Sequence, residues 1–311
     1  MKKNRFLRAL AAAIAGLMTA ACTSYAAGGA HTGGMAARQA GERSVSPAGI
    51  ALAWIPAGSF TMGSPDTEIG RWPLEESPRR QVTVSSGFWM GVHPVTQEQW
   101  QAVMGGNPSI FAGGRRPVEN ISWYDALVFA NRLSIMEGLS PAYSIGGSTN
   151  PDDWGDVPYW SFSGMWDAVV LVPGSTGWRL PTEAQWEFAA RAGTNTAFSN
   201  GAEDWQDAAS IDAIGWFDFN SGGMTQEVGA KQSNPWGLYD IHGNVWEWVW
   251  DWLGSYPDYA QTDPTGAASG HWRVLRGGGW ASWAQAARSA FRFSEVPFTR
   301  DEFIGLRVIR P

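Results

Sequence analysis

Tryptophan occupies every second position between residues 246 and 252, within the segment GNVWEWVWDW. A period of two is typical of a β-strand, because successive side chains of a strand point to opposite faces. The pattern therefore predicts a half-buried strand with four indole rings on one face. The opposite face would carry two small apolar residues and two carboxylates: Val245, Glu247, Val249 and Asp251.

The composition excludes several classes of protein. Hydrophobic residues make up 44% of the 311 positions and charged residues only 16%, which indicates a globular chain with a sizeable core. The 38 glycines and 18 prolines indicate many turns and little long helix. The net charge is −7 and the folded part has no basic cluster, so nucleic acid is not expected as a partner.

The first 21 residues have the features of a signal peptide, with four basic residues followed by an Ala-rich apolar stretch. Cys22 is the single cysteine of the chain, and its position after small residues resembles a bacterial lipobox. We therefore expect lipidation of Cys22 and an extracytoplasmic protein, anchored in the bacterial membrane and facing the periplasm or the cell surface. The alternative is ordinary cleavage nearby, after Ala26 or Ala27. Residues 22–49 are predicted to form a flexible tether, and residues 50–311 one domain.

Three segments of the domain carry helix-start signals. Thr96, Ser122 and Thr182 are predicted N-caps, each followed three residues later by Gln or Asp. Short apolar runs bounded by Gly, Pro and Ser predict strands around 51–62, 81–95 and 245–252 and in the last 40 residues. The combination predicts a mixed α+β domain in which residues 140–178 and 194–235 form long loops.

Several segments, in order along nearly the whole chain after Ala51, resemble the formylglycine-generating enzyme (sulfatase-modifying factor) family. That resemblance implies a variant of the C-type lectin fold, with small antiparallel sheets, two or three helices and much irregular loop. The matching segments are IPAGSFTMGS (55–64), ESPRRQVTVSSGFWMGVHPVTQEQW (76–100), RPVENISWYDALVFANRLS (116–134), GWRLPTEAQWEFAARAGT (177–194), NPWGLYDIHGNVWEWVWDW (234–252), RVLRGGGW (273–280) and IGLRVIR (304–310).

The family holds a calcium ion with an Asn or Asp side chain, two backbone carbonyls and a Glu side chain. The matching positions here are Asp240, Gly243, Val245 and Glu247. The resemblance therefore implies one structural Ca²⁺, which would fix loops that have few regular hydrogen bonds. The alternative is that these residues belong to a plain core strand.

Formylglycine generation in the family requires two cysteines that bind copper(I). Ser282 stands at the first of these positions, and the second falls at Ala284 or in a short deletion. Neither side chain offers a soft thiolate, so we expect no copper and no formylglycine-generating activity. The four histidines have no metal-ligand spacing. An oxidase or metabolite-modifying enzyme that works without the cysteine pair is the alternative function.

The segment after Arg276 also resembles the C-terminal cassette of variable proteins of diversity-generating retroelements. In those proteins the cassette presents a ligand-binding surface, and aromatic residues set among small polar ones suit recognition. The sequence therefore predicts a non-catalytic receptor for a protein, peptide or glycan at the cell surface, against the alternative of an ordinary family loop. The predicted contact residues are Trp280, Ser282, Trp283, Gln285, Phe291, Phe293, Glu295 and Phe298.

Overall fold

The structure is a computed structural model that describes residues 38–311. The predicted signal peptide and Cys22 lie outside the described residues. The domain begins earlier than the sequence predicted, because strand β1 (Arg43–Val45) pairs antiparallel with strand β2 (Ala51–Ile55). The Gly41 amide also donates to the Trp54 carbonyl at 2.9 Å. Residues 38–49 are therefore part of the fold, and the predicted tether over 22–49 is wrong for that stretch.

The described residues form thirteen strands and six α-helices, most of them short. The remaining strands are β3 (Gly58–Met62), β4 (Arg80–Val84), β5 (Phe88–Gly91), β6 (Tyr143–Ser144), β7 (Val170–Leu171), β8 (Trp246–Trp252), β9 (Gln261–Thr262), β10 (Arg273–Arg276), β11 (Phe293–Glu295), β12 (Ile304–Leu306) and β13 (Ile309–Arg310). The helices are α1 (Pro73–Glu76), α2 (Gln97–Met104), α3 (Trp123–Met136), α4 (Gly164–Asp167), α5 (Glu183–Arg191) and α6 (Ala208–Asp212).

The three longest helices begin where the sequence predicted. Each has a complete capping box, in which the N-cap hydroxyl accepts from the backbone amide three residues on and that residue's side chain returns a bond to the cap. Helix α2 ends at Gly105, whose φ of 81° gives the left-handed turn that glycine permits. These helices are therefore fixed at their ends by local sequence, independently of what they pack against.

The tryptophan-rich strand β8 is central to a four-stranded sheet with the order β11-β10-β8-β12. It is antiparallel to β10 and parallel to β12. Trp246 and Trp248 pack in one hydrophobic cluster with Trp123 of α3, whereas Val249 packs in a second cluster with Trp186 of α5. The prediction that the tryptophans share one face is confirmed. The prediction of a half-buried strand is wrong, because both faces of β8 are covered.

Three further sheets complete the α+β fold. Their strand orders are β1-β2-β5-β13, β3-β4-β9 and β6-β7. Most pairs are antiparallel as predicted, and the pair β4–β9 is parallel like β8–β12. The 140–178 stretch predicted as loop contains β6, β7 and α4, and the 194–235 stretch contains α6. Small sheets, a few helices and long connections together give the predicted fold class.

Buried ion pairs connect parts of the chain that are far apart in sequence. The Arg288 guanidinium lies 2.6 Å from the Glu76 carboxylate and also contacts Glu68. Three other pairs also join distant segments, namely Arg276 of β10 with Glu187 of α5, Arg292 with Glu183 of α5, and Arg307 with Glu247 of β8. Arg191 pairs with Glu187 within α5. All these side chains are almost completely buried, so removal of one partner leaves a charge without compensation.

We predict that Arg288→Met lowers the free energy of unfolding by about 3–5 kcal/mol, because Glu68 and Glu76 lose their cation inside the protein. Urea unfolding of the purified protein measures this change. Arg115→Met is the matched control: Arg115 pairs with Glu227 in solvent, and its loss should change the stability by about 1 kcal/mol or less. Equal effects of the two substitutions would contradict a structural role for the Arg288 pair.

Candidate ligand-binding groove

An aromatic groove opens where the segment after β10 passes over the N-terminal end of β8. It encloses about 420 Å³ and its surface is mostly apolar. Cavities of this size and character are typical of sites that bind small molecules or side chains of a partner. The lining residues are Trp72, Trp246, Ala281, Ser282, Trp283, Gln285, Ala286, Phe291, Phe293 and Phe303.

Two glycines after β10 direct the chain into the groove. Gly277 and Gly278 have φ values of 100° and 72°, which other residues rarely adopt. A β-carbon at Gly278 would lie 3.0 Å from that of Ala287, so the turn has no room for a side chain. The Gln285 amide then donates to the Gly70 carbonyl at 2.7 Å. That bond brings the 63–72 loop, with Trp72, to the groove.

The aromatic side chains of the groove contact one another. The rings of Trp72 and Phe291 have centroids 4.8 Å apart, and those of Trp246 and Phe293 are 5.2 Å apart. Trp283 lies at the edge of the groove, where 66% of its surface is exposed to solvent. An exposed tryptophan beside a preformed apolar cavity offers contact area at a low cost in conformational entropy. The groove is therefore suited to hold an apolar or aromatic group.

Ser282 lies at the bottom of the groove, at the position where the family has its first cysteine. Its hydroxyl accepts from the Trp246 indole N–H at 3.0 Å and from the Gly279 amide at 3.2 Å. Ala284, one of the two alternatives for the second cysteine position, is buried in a separate cluster around Phe217. The first predicted position thus carries a hydrogen-bonded hydroxyl.

The structure brings five of the eight predicted contact residues together, and these are Ser282, Trp283, Gln285, Phe291 and Phe293. The other three do not line this groove, and their part in ligand contact stays a prediction. The Trp280 indole donates to the Glu302 carbonyl at 2.9 Å and packs on Phe111. Glu295 is half-buried in β11, where it accepts from Thr299. Phe298 contacts Phe162, 5.2 Å away between ring centroids.

Sequence reasoning missed two aromatic walls of the groove. Trp72 precedes a short helix more than 200 positions before Trp283, and Phe303 precedes β12. Neither belongs to a periodic pattern. The available signal was only that Trp72 is a large apolar residue in a loop, which by itself does not indicate a partner.

The residues of the predicted calcium site differ in how well they suit a cation. Asp240 is buried, and burial raises the pKa of its carboxyl to about 6, with one oxygen accepting from the Gly229 amide at 2.7 Å. Its carboxylate forms no ion pair among residues 38–311, so a cation would stabilise it. Glu247 fits less well, because its oxygens already accept from Arg307 and from the Trp186 indole N–H.

Within the same described range, no cluster of three or more His, Cys, Asp or Glu side chains is placed to hold a metal ion. A calcium ion would therefore depend on the carbonyls of Gly243 and Val245 as much as on the two carboxylates. His242, which lies between Asp240 and Glu247 in the sequence, is not available as a ligand. Burial lowers its pKa to about 4, and the neutral ring bonds to Ser199 and to the Ala287 carbonyl. The calcium site stays a prediction.

No helix in residues 38–311 is both long and apolar enough to cross a membrane. Against solved structures, the chain is 37% identical to Treponema denticola variable protein 1, with a TM-score of 0.76 over 87% of this chain and 99% of that one. Against the structure of PvdO from Pseudomonas aeruginosa it is 24% identical, with a TM-score of 0.69 over 88% of this chain, which shows the shared fold.

Sequence comparison gives two further relatives. The chain is 36% identical to the chaperone protein LppX of Paenibacillus barcinonensis over 74% of this chain and 82% of that protein. It is 29% identical to the formylglycine-generating enzyme of Mus musculus over 96% of this chain and 87% of that enzyme. Residues 37–311 match the model of the sulfatase-modifying factor enzyme 1-like domain. The protein therefore belongs to the formylglycine-generating enzyme (sulfatase-modifying factor) family.

Proposed function

We propose that this protein is a non-catalytic binding protein of the cell envelope, and that its aromatic groove holds an apolar side chain of a polypeptide ligand. The observation that carries the proposal is the groove itself, a preformed apolar cavity beside an exposed tryptophan. Energetically dominant contacts in protein interfaces are commonly a Trp or Tyr packed at a desolvated pocket.

The chemistry at the bottom of the groove supports binding rather than the family's oxidation. Its cysteine position carries Ser282, whose oxygen accepts two N–H bonds. A hydroxyl neither binds copper(I) like a thiolate nor undergoes thiol redox chemistry. The remaining lining side chains, apart from Gln285, are apolar. Such a surface can hold a ligand but supplies no acid, base or redox group.

The relatives support a polypeptide over the other ligand classes. One is named a chaperone protein and another a variable protein, and neither name denotes an enzyme. We extend this to the location: the signal-peptide features and Cys22 support a lipid-anchored protein outside the cytoplasm. A lipid anchor would hold the domain at the membrane surface, where a receptor or chaperone can contact other envelope proteins.

We predict that peptides selected from a random phage-displayed library on the purified protein lose about 30-fold or more in affinity on Trp283→Ala. Truncation of a tryptophan that a partner buries in an interface commonly costs about 2 kcal/mol or more. Isothermal titration with the selected synthetic peptides measures the loss. Trp272→Ala is the matched control, because Trp272 is similarly exposed but does not line the groove.

Peptides that bind the Trp283→Ala variant as tightly as the unmodified protein would show that the groove is not the binding site. Selection of no peptide, together with Trp283-dependent binding to a glycan array, would overturn the polypeptide assignment. A redox metal retained by the purified protein, with oxidase activity lost on Ser282→Ala, would favour the enzyme alternative over binding.

We also propose that the segment 276–303 is a diversified surface on a fixed frame. Arg288 and Arg292 hold this segment through buried pairs, and a β-carbon at Gly305 would lie 2.5 Å from the Val118 carbonyl oxygen. The groove positions between these points carry side chains that are not needed for the pairs. The frame can therefore stay constant while the groove lining changes.

Sequencing the gene across many cells or isolates should then show substitutions at the groove positions 281, 283, 285, 286 and 293. We expect Gly277, Gly278, Arg288, Arg292 and Gly305 to remain unchanged, because each is fixed by backbone conformation, space or charge. Equal variation at frame and groove positions, or none at either, would contradict diversification and leave a receptor for one fixed ligand.

We further propose one structural Ca²⁺ at Asp240, Gly243, Val245 and Glu247. The buried and unpaired Asp240 carboxylate supports it. Saturating CaCl₂ added to chelator-treated protein should raise the midpoint of thermal unfolding by about 5 °C or more. Asp240→Asn should abolish this shift, whereas the exposed Asp218→Asn should retain it. If calcium leaves the midpoint unchanged, the calcium prediction is wrong and Glu247 serves only to pair with Arg307 and Trp186.

A further inference from the structure

A second cavity lies under the 254–267 loop, at the far end of β8 from the aromatic groove. It has a volume of about 250 Å³ and a predominantly polar surface, and it shares no lining residue with the groove. Its charged lining residues come from four different parts of the chain: Arg80, Glu183, Asp251 and Arg292. Tyr256, Tyr259 and Gln261 complete the polar wall.

Arg80 is the unusual member of this wall. It is 7% exposed, and its guanidinium stacks 3.6 Å from the centre of the Tyr256 ring. Its Nε donates to Gln261 at 3.1 Å, but its buried Nη1 has no hydrogen-bond partner within residues 38–311. A buried donor without an acceptor is unfavourable, and more so when it belongs to a charged group. Arg80 lines the cavity, so a small acceptor inside it would lie next to the guanidinium.

Arg80 differs from the other buried arginines in its place rather than in having an unpartnered nitrogen. Arg273 and Arg276 each also have a buried Nε without a partner among residues 38–311, but neither lines the cavity. Arg292 contacts both oxygens of Glu183 and also donates to the Gly254 carbonyl at 3.0 Å. Arg273 forms no ion pair in the described part of the chain, but its guanidinium lies between Trp123 and Trp252, at 3.6 and 3.4 Å from the ring centres. The Arg80 guanidinium, by contrast, contacts an aromatic ring on one side and has no carboxylate partner among the described residues.

The charges around the cavity favour an anion. Arg292 compensates Glu183 in a close ion pair. Burial, and then the neighbouring Glu183 charge, raise the pKa of Asp251 to about 7, so this carboxyl carries only part of a negative charge at neutral pH. The Arg80 cation therefore remains only partly balanced in a low-dielectric wall, where an added charge interacts strongly.

We propose that this cavity is a binding site for a small carboxylate, whose oxygens accept from the Arg80 guanidinium. A guanidinium presents its N–H groups in a planar fork that matches a carboxylate. The volume limits the ligand to a few heavy atoms beyond the carboxylate. A phosphate dianion suits the site less, because its second charge would face Glu183 and Asp251 without further free donors.

The test uses sodium lactate and sodium acetate as probes, with the midpoint of thermal unfolding as the readout at constant ionic strength. Saturating carboxylate should raise the midpoint of the purified protein by about 3 °C relative to sodium chloride. Arg80→Gln should abolish this shift. The matched control is Arg79→Gln, since Arg79 is the exposed neighbour and does not line the cavity.

A second variant guards against general damage by loss of Arg80. Ser255 is exposed at the wall of the cavity, and Ser255→Trp should block entry while leaving the Arg80 contacts intact. It should therefore also abolish the carboxylate-dependent shift. A shift that persists in both Arg80→Gln and Ser255→Trp, or one that chloride reproduces, would overturn the proposal and leave water as the occupant. Stabilisation by sodium phosphate but not by the carboxylates would overturn the ligand class.

Discussion

Buried arginine–glutamate pairs connect segments that the short strands and long loops of this fold would otherwise leave without contact. Arg288 reaches Glu76 and Glu68 across 212 and 220 positions of sequence, and Arg307, directly after β12, pairs with Glu247 of β8. Such pairs add little net stability, since desolvation offsets their attraction, but an unmatched partner is strongly unfavourable. They therefore act mainly by excluding arrangements in which any one charge is unpaired. The pairs therefore fix how the segments are arranged more than they raise the net stability of the fold.

The same arginines hold the segment that lines the groove. Arg288 and Arg292 form buried ion pairs inside the protein, whereas Phe291, between them, lines the groove. The backbone position is set by the inward side chains and by the glycine turn at Gly277 and Gly278. Substitution of an outward side chain then changes what the groove contacts without removing a buried pair. Under the proposed function, binding specificity and folding would therefore depend on different residues of one segment.

The sequence predicted what depends on near neighbours, and failed where distant segments meet. The capping signals at Thr96, Ser122 and Thr182 placed three helices correctly, because a cap is a contact between residues three apart. The alternation in β8 predicted which residues share each face of the strand, but it did not predict that α5 covers the second face. The five groove residues that the sequence predicted lie in one C-terminal segment. Trp72 lies far away in sequence, in a loop that the Gln285–Gly70 hydrogen bond joins to this segment across 215 positions. No local pattern carries that information.

The replacement of cysteine by Ser282 alters the chemistry of the groove while keeping its architecture. A serine hydroxyl becomes a nucleophile only when a base accepts its proton. In the described residues the Ser282 oxygen bonds to the Trp246 and Gly279 N–H groups, and no histidine or carboxylate bonds to it. Both N–H groups occupy lone pairs that attack on a substrate would require. The arrangement therefore fixes the serine as an acceptor that orients Trp246, one wall of the groove, and directs the site toward binding.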